Sequence, residues 1–250
     1  SSMDFVTIKY NWDGSRVWVK TYDGGGDDKA TDIAFGPDGS VYVTGNSVQG
    51  GYDDFATVKY SAAGAEEWVA FYDGLNNVDD QAMAIAVDAE GSAYVTGPSY
   101  TAVGPGSETR FATVKYDSAG TEEWVARTSR NSAPAALALG ASALYVTGWT
   151  AGDAGDADYA TIAYDPGTGD TLWVRRDSGP AGSGDAAVGI AVGSDSSIWV
   201  AGSSDYDFKT LLYTPDGVQR KVVSYGGPGD DGMVAIAVDK ANKVVVTGNT

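Results

Sequence analysis

The sequence contains no cysteine and no histidine. It therefore has no Ser-His-Asp or Cys-His machinery, no cysteine nucleophile and no zinc site of the usual ligand type. No disulfide can form, so cysteine says nothing about redox compartment. Positive charge is also scarce. Sixteen Lys and Arg face 34 Asp and Glu over 250 residues, a formal net charge of −18. That balance argues against a nucleic-acid backbone or an anionic lipid surface as partner. No apolar run approaches the roughly 20 residues of a membrane-spanning helix, so no membrane insertion is expected. No signal-peptide pattern is visible at the start, and Ser1-Ser2-Met3 reads as a non-native remnant. Glutamate is rare, with six residues at 66, 67, 90, 108, 122 and 123, so the acidity is almost all aspartate. A hydrophobic content of 43% fits a folded globular domain.

What the chain does have is repetition. Five segments share one pattern: Asp4–Tyr10 (DFVTIKY), Asp54–Tyr60 (DFATVKY), Arg110–Tyr116 (RFATVKY), Asp158–Tyr164 (DYATIAY) and Asp207–Tyr213 (DFKTLLY). Their tyrosines are spaced by 50, 56, 48 and 49 residues. A tryptophan follows the first four at Trp18, Trp68, Trp124 and Trp173, and Lys221 takes that place in the fifth. A run with internal Ala comes next (DIAF, AIAV, ALAL, GIAV, AIAV). The unit then ends in VYVTG, AYVTG, LYVTG, IWVAG or VVVTG, with glycine at 45, 97, 148, 202 and 248.

Each unit thus offers four short β-type runs separated by turn signals such as Asp13-Gly14 and Pro37-Asp38-Gly39. Helical periodicity is absent. Four antiparallel strands per repeat, repeated in register, predict an all-β, five-bladed β-propeller occupying residues 1–250 as a single domain. The small Ala run suits the innermost strand, A. YVTG is then B, DFxTxKY is C and the Trp run is D at the rim, where Glu66, Glu67, Arg175 and Arg176 guard an edge. The chain begins with C and D and ends with A and B. A 2+2 closure is therefore expected, with residues 232–248 completing a blade with 4–22. The other blades are expected near 30–72, 82–128, 135–177 and 187–225.

The composite DFxTxKYxxxGxxxW…DxAxxIAVDxxGxxYVTGxS, best seen in Asp54–Ser99, resembles the bacterial SBBP-type β-propeller repeat. The resemblance covers essentially the whole chain. It implies a bacterial extracellular or cell-envelope protein and does not by itself imply a catalytic activity. The third repeat departs most, with Asn131-Ser132-Ala133-Pro134 replacing the acidic approach to strand A, and Lys221 departs from the Trp column.

Two residue sets are candidates for function. Asp28, Asp80, Asp185 and Asp231 stand just before strand A in four repeats. On a ring of D–A loops they would form a calcium-binding rim, the one cofactor considered. The competing reading is that each caps its own turn. The B–C connections, read as 46–53, 98–109, 149–157 and 203–206, carry Tyr52, Tyr100, Trp149 and Tyr206. Aromatics beside Asn, Asp and Gly suit sugars, so a glycan or protein ligand is the expected partner of a monomeric module. A five-bladed glycoside hydrolase is the enzymatic alternative. It needs two differently tuned carboxyls, and only Glu108 among the glutamates is placed to help Asp28, Asp32, Asp80, Asp185 or Asp231. No catalytic residue is assigned. The expectation is a non-enzymatic scaffold or recognition module, with a lectin as the alternative.

Overall fold

The computed structural model describes residues 2–102, 108–153, 155–179, 184–227 and 229–250. Ser1 and residues 103–107 of the second B–C connection lie outside the described residues. Among the described residues there are twenty strands and no helix. They fall in two compact units, Ser1–Thr128 and Ser129–Thr250.

The first unit opens with a two-stranded sheet, β1 (Phe5–Tyr10) and β2 (Arg16–Tyr22). Two four-stranded sheets follow. One contains β3 (Asp28–Phe35), β4 (Val41–Gln49), β5 (Tyr52–Tyr60) and β6 (Glu66–Tyr72). The other contains β7 (Ala84–Val87), β8 (Ala93–Tyr100), β9 (Thr109–Tyr116) and β10 (Glu122–Arg127). The second unit has sheets of β11 (Ser132–Leu139), β12 (Leu144–Ala151), β13 (Ala157–Tyr164) and β14 (Thr171–Asp177), and of β15 (Ala186–Val192), β16 (Ile198–Ser204), β17 (Asp207–Tyr213) and β18 (Gln219–Tyr225). It ends in a two-stranded sheet, β19 (Gly232–Val238) and β20 (Val244–Asn249). Every sheet is an antiparallel meander in chain order. Among the described residues no sheet is closed on itself.

The repeated columns explain the strands. The Thr of YVTG faces the Thr of DFxTxKY, and their hydroxyls lie 3.2 Å apart for Thr44 and Thr57, 3.0 Å for Thr96 and Thr113, and 3.1 Å for Thr147 and Thr161. The first hydroxyl of each pair also donates to the carbonyl of Ala56, Ala112 or Ala160. Each pair thus satisfies buried oxygens inside the sheet.

The glycine of YVTG has a steric cause. Strand A bulges in the same place in four sheets, between Ala30 and Asp32, Pro134 and Ala136, Ala187 and Gly189, and Met233 and Ala235. The bulge swings a carbonyl onto strand B. A Cβ on Gly45, Gly97, Gly148, Gly202 or Gly248 would lie 1.8 to 2.2 Å from the oxygen of Lys29, Gln81, Ala133, Ala186 or Gly232. Only hydrogen fits there. The Phe of the preceding repeat covers the same spot: Phe5 over Gly45, Phe55 over Gly97, Phe208 over Gly248. In the second repeat β7 starts late. Pro98 of β8 has no N–H to offer, so Asp80 meets Ser99 only as an isolated bridge.

Aromatics join neighbouring sheets. Trp68 packs edge-on against Tyr42 of its own sheet, 5.7 Å between centroids, and against Tyr116 of the next at 6.2 Å. Trp173 sits likewise between Tyr145 and Tyr213. Each indole N–H donates across the gap, Trp18 to Ala62, Trp68 to Ser118 and Trp173 to Pro215. Those carbonyls belong to C–D turns whose glycines, Gly64, Gly120 and Gly217, lie flat against the indoles. Trp in one repeat and Gly in the next turn are therefore one device.

Burial is uneven along the chain. β4 and β8 are buried over most of their length, whereas β20 alternates half-buried and exposed residues. The two-stranded sheets leave Val6, Ile8, Val17 and Val19 bare in the first unit and Val234 and Val245 in the second. A groove of about 250 Å³ runs between β1 and β3, lined by Val6, Ile8, Ala30, Ile33 and Val43 and by Thr7, Thr31 and Asp32.

Two substitutions check these roles in denaturant unfolding. Gly97→Ala should cost about 2 kcal/mol or more, because its methyl meets a main-chain oxygen that cannot retreat without shifting the strand. Thr96→Val should cost about 1 kcal/mol, by leaving the Thr113 hydroxyl and a carbonyl short of a partner. Wild-type stability for Gly97→Ala would contradict the steric account.

Candidate functional site

Each of the four pre-strand aspartates does the same work. Asp28, Asp80, Asp185 and Asp231 are at most 3% exposed. Their amide N–H groups donate to the start of the preceding strand C: to Met3 at 2.6 Å, Asp53 at 2.5 Å, Ala157 at 2.7 Å and Tyr206 at 2.6 Å. Their carboxylates accept the N–H of a glycine at the end of the preceding strand D: Gly24 at 2.6 Å, Gly74 at 2.5 Å, Gly179, and Gly227 at 2.8 Å. One side chain thus folds the D–A loop and ties two neighbouring sheets. These carboxylates are enclosed in the loop rather than displayed on a solvent-facing rim. Hydroxyls crowd the same spot, since a Cβ on Gly24, Gly74 or Gly179 would strike Ser47, Ser99 or Ser204. The second oxygen of Asp28, Asp80 and Asp185 is buried without a hydrogen-bond partner.

Further acids join two of these loops. Asp4, at the head of strand C, and Asp23, just past strand D, each bring a carboxylate oxygen within 4.8 Å of the others and of Asp28. Asp54, Asp73 and Asp80 repeat the arrangement one unit on. Burial pushes the Asp54 carboxyl up to about 7, helped by the charges of Asp73, Asp80, Asp53 and Asp79. Burial also raises Asp80, although the Ser99 hydroxyl and the Gly74 N–H work the other way. In the second unit burial raises Asp158, with Asp156 and Asp185 adding to it. The sequence reading did not single out Asp4, Asp23, Asp54 or Asp73, yet the signal was there in the DF and YDG columns.

The B–C connections are tighter than their sequence suggests. The first is only Gly50-Gly51, at φ 63° and 101°, and the fourth only Asp205-Tyr206, at φ 51° and 66°. Both are two-residue hairpin turns with two left-handed residues. Tyr52 consequently opens β5 and Tyr100 closes β8. Trp149 lies inside β12, opposite Ala133 and Tyr159, and not in a loop. Strand B simply continues beyond YVTG in that repeat. Tyr206 alone sits at a turn, 65% exposed. Among the described residues none of the four makes a ring–ring contact with another.

The acids weighed for hydrolysis are otherwise engaged. Glu108 is ion-paired with Arg110. Asp32 accepts the N–H of Ile85 in the next sheet at 2.9 Å and of Ile33 at 2.8 Å. A cavity of about 430 Å³ does open in the second unit, among A–B turns, lined by Gly140, Val192, Ser194, Ser196, Asp239 and Lys240. It is at the strand ends opposite to Tyr206 and was not expected from sequence.

No family model matches the chain, and no curated protein matches it. Solved structures do. The quinohemoprotein alcohol dehydrogenase of Comamonas testosteroni is similar over 87% of this chain and 39% of its own length, at 15% identity and a TM-score of 0.54. A glucose dehydrogenase is similar over 97% of this chain and 86% of its own, at 14% identity and a TM-score of 0.54. A Synechocystis apocarotenoid oxygenase is similar over 98% and 58%, at 12% identity and a TM-score of 0.54. The chain thus spans well under two thirds of two of these proteins. All three are propeller-fold proteins. At such identities the likeness concerns architecture alone, and the architecture shared is an all-β, propeller-like set of antiparallel four-stranded sheets.

Proposed function

We propose that the chain is one five-bladed β-propeller domain of the SBBP-repeat type, a monomeric, non-enzymatic scaffold or recognition module from a bacterial secreted or surface protein. The two terminal sheets support the ring. One holds strands C and D and the other holds A and B, so each has what the other lacks. Val6 and Ile8 of the one and Val245 of the other are bare where Ala56, Val58 and Tyr42 hold the same columns buried in a complete sheet. The groove along β1, lined by aliphatic side chains together with Thr7, Thr31 and Asp32, is where a strand like β20 would fit. By the register of Val43 with Val58, closure sets Val246 opposite Ile8. The ring lacks one latch, since Lys221 replaces the Trp that would meet the Asn11–Gly14 turn.

The single observation that carries the non-enzymatic reading is the shared task of Asp28, Asp80, Asp185 and Asp231. Four copies of one backbone bond belong to loop construction and not to an asymmetric reaction centre. Recognition of a protein or glycan is left to the B–C connections. The exposed rings of Tyr52 and Tyr206 favour a lectin as second reading.

The absence of cysteine makes closure simple to test. In Ile8→Cys with Val246→Cys, mild oxidation should give an intramolecular disulfide, visible as faster migration on a non-reducing gel. Two free thiols, or only intermolecular bonds, would overturn the ring. A glycan array with and without Ca²⁺ separates the functional readings. The scaffold reading expects no saturable binding. Saturable binding lost in Tyr206→Ala would make the chain a lectin, and turnover of any glycan would end the non-enzymatic account.

A further inference from the structure

We propose that Asp4, Asp23 and Asp28, and in register Asp54, Asp73 and Asp80, form two binding sites for a hard divalent cation of the calcium class. This goes beyond the recognition reading and does not depend on it. Each triad gathers three carboxylates from three places: the head of strand C, the end of strand D, and the loop entering the next strand A. One oxygen of each lies within 4.8 Å of the other two. That limit is about twice a Ca–O distance of ~2.4 Å, so one ion can touch all three.

Proximity of acids alone is common on surfaces. The buried member, a feature Asp185 shares without a complete triad, adds a second observation. Asp28 and Asp80 are 1% and 0% exposed. One oxygen of each accepts a glycine N–H, and the other is buried with no donor. A buried carboxylate oxygen without a partner is costly, and a cation is the partner that three converging carboxylates select. Among the described residues none of the six is ion-paired to Lys or Arg.

The other repeats act as internal controls. In the third, the three columns hold Arg110, Ser129 and Ser132, so all three acids are lost together. In the fourth, Ser178 takes the middle column, Arg176 works against the rise that burial gives Asp158, and Lys209 pairs with the neighbouring Asp177. In the fifth, Gly226 takes the middle column between Asp207 and Asp231. Where the triad is intact, no Lys or Arg pairs with it among the described residues. Asp23 and Asp73 are exposed, which leaves room for the water ligands that calcium still needs.

Calorimetric titration of the chelator-treated full chain with CaCl₂ tests this. Two sites per chain are expected, with dissociation constants in the range of about 10⁻⁴ to 10⁻³ M usual for extracellular modules, and weaker binding of MgCl₂. Asp23→Asn and Asp73→Asn are the variants to use, because Asn keeps the oxygen that Asp23 offers to Gly25 N–H. Each alone should leave one site, and the pair should weaken binding at least ~10-fold, with an unchanged far-UV circular dichroism spectrum. The exposed Asp205→Asn should retain both sites. No binding heat up to about 10 mM CaCl₂ in the folded wild type, or two full sites in the double variant, would overturn the proposal.

Discussion

In every repeat a carbonyl oxygen of strand A rests where the glycine of strand B has no side chain. Much of the fold depends on this contact. In four sheets it goes with a bulge in strand A, and a bulge sharpens the local twist of a sheet. It fixes the register of A on B to the residue, because a slip by one position would press a side chain such as Thr44 or Asn46 against that oxygen. It also opens a shallow seat on strand B. At Gly45, Gly97 and Gly248 the Phe at the head of the previous strand C fills that seat, so a contact internal to one sheet becomes a contact between two.

The remaining columns fasten what this contact positions. Paired threonines use a polar side chain inside the sheet at no cost in unsatisfied groups. The Trp latch works at the outer strand and the aspartate loop at the inner one. Neighbouring sheets are therefore held at both margins by a hydrogen bond reaching from one repeat to the next. Acidity follows from this economy. Aspartate is short enough to cap a glycine N–H within its own loop, and longer glutamates go to the outer strands, where Glu67 and Glu123 pair with Lys59 and Lys115.

The legible part of this structure was the part repeated five times. Gly45, Thr44, Trp68 and their equivalents each have one use, and repetition separates that use from noise. Strand order within a sheet followed from the same columns. Connections were less legible. The Asn46–Asp53 segment reads as a loop from its polar composition, but Gly50-Gly51 close it in two residues and the polar residues become strand. Trp149 stood out only because it lies outside the columns, and the longer β12 accounts for it. The acid triads were hidden for a different reason. Asp4, Asp23 and Asp28 read singly as a strand start, a turn and a loop cap. Only the packing of one sheet on the next brings them together.

The ring is the central claim, since it decides whether the terminal sheets are edges or halves of a blade. Native-state hydrogen exchange of the β1 and β20 amides tests it most directly. A closed blade predicts that the β1 and β20 amides are protected like the paired amides of β4 and β5. Rapid exchange along the outer edge of β1, alongside slow exchange in β4 and β5, would contradict it.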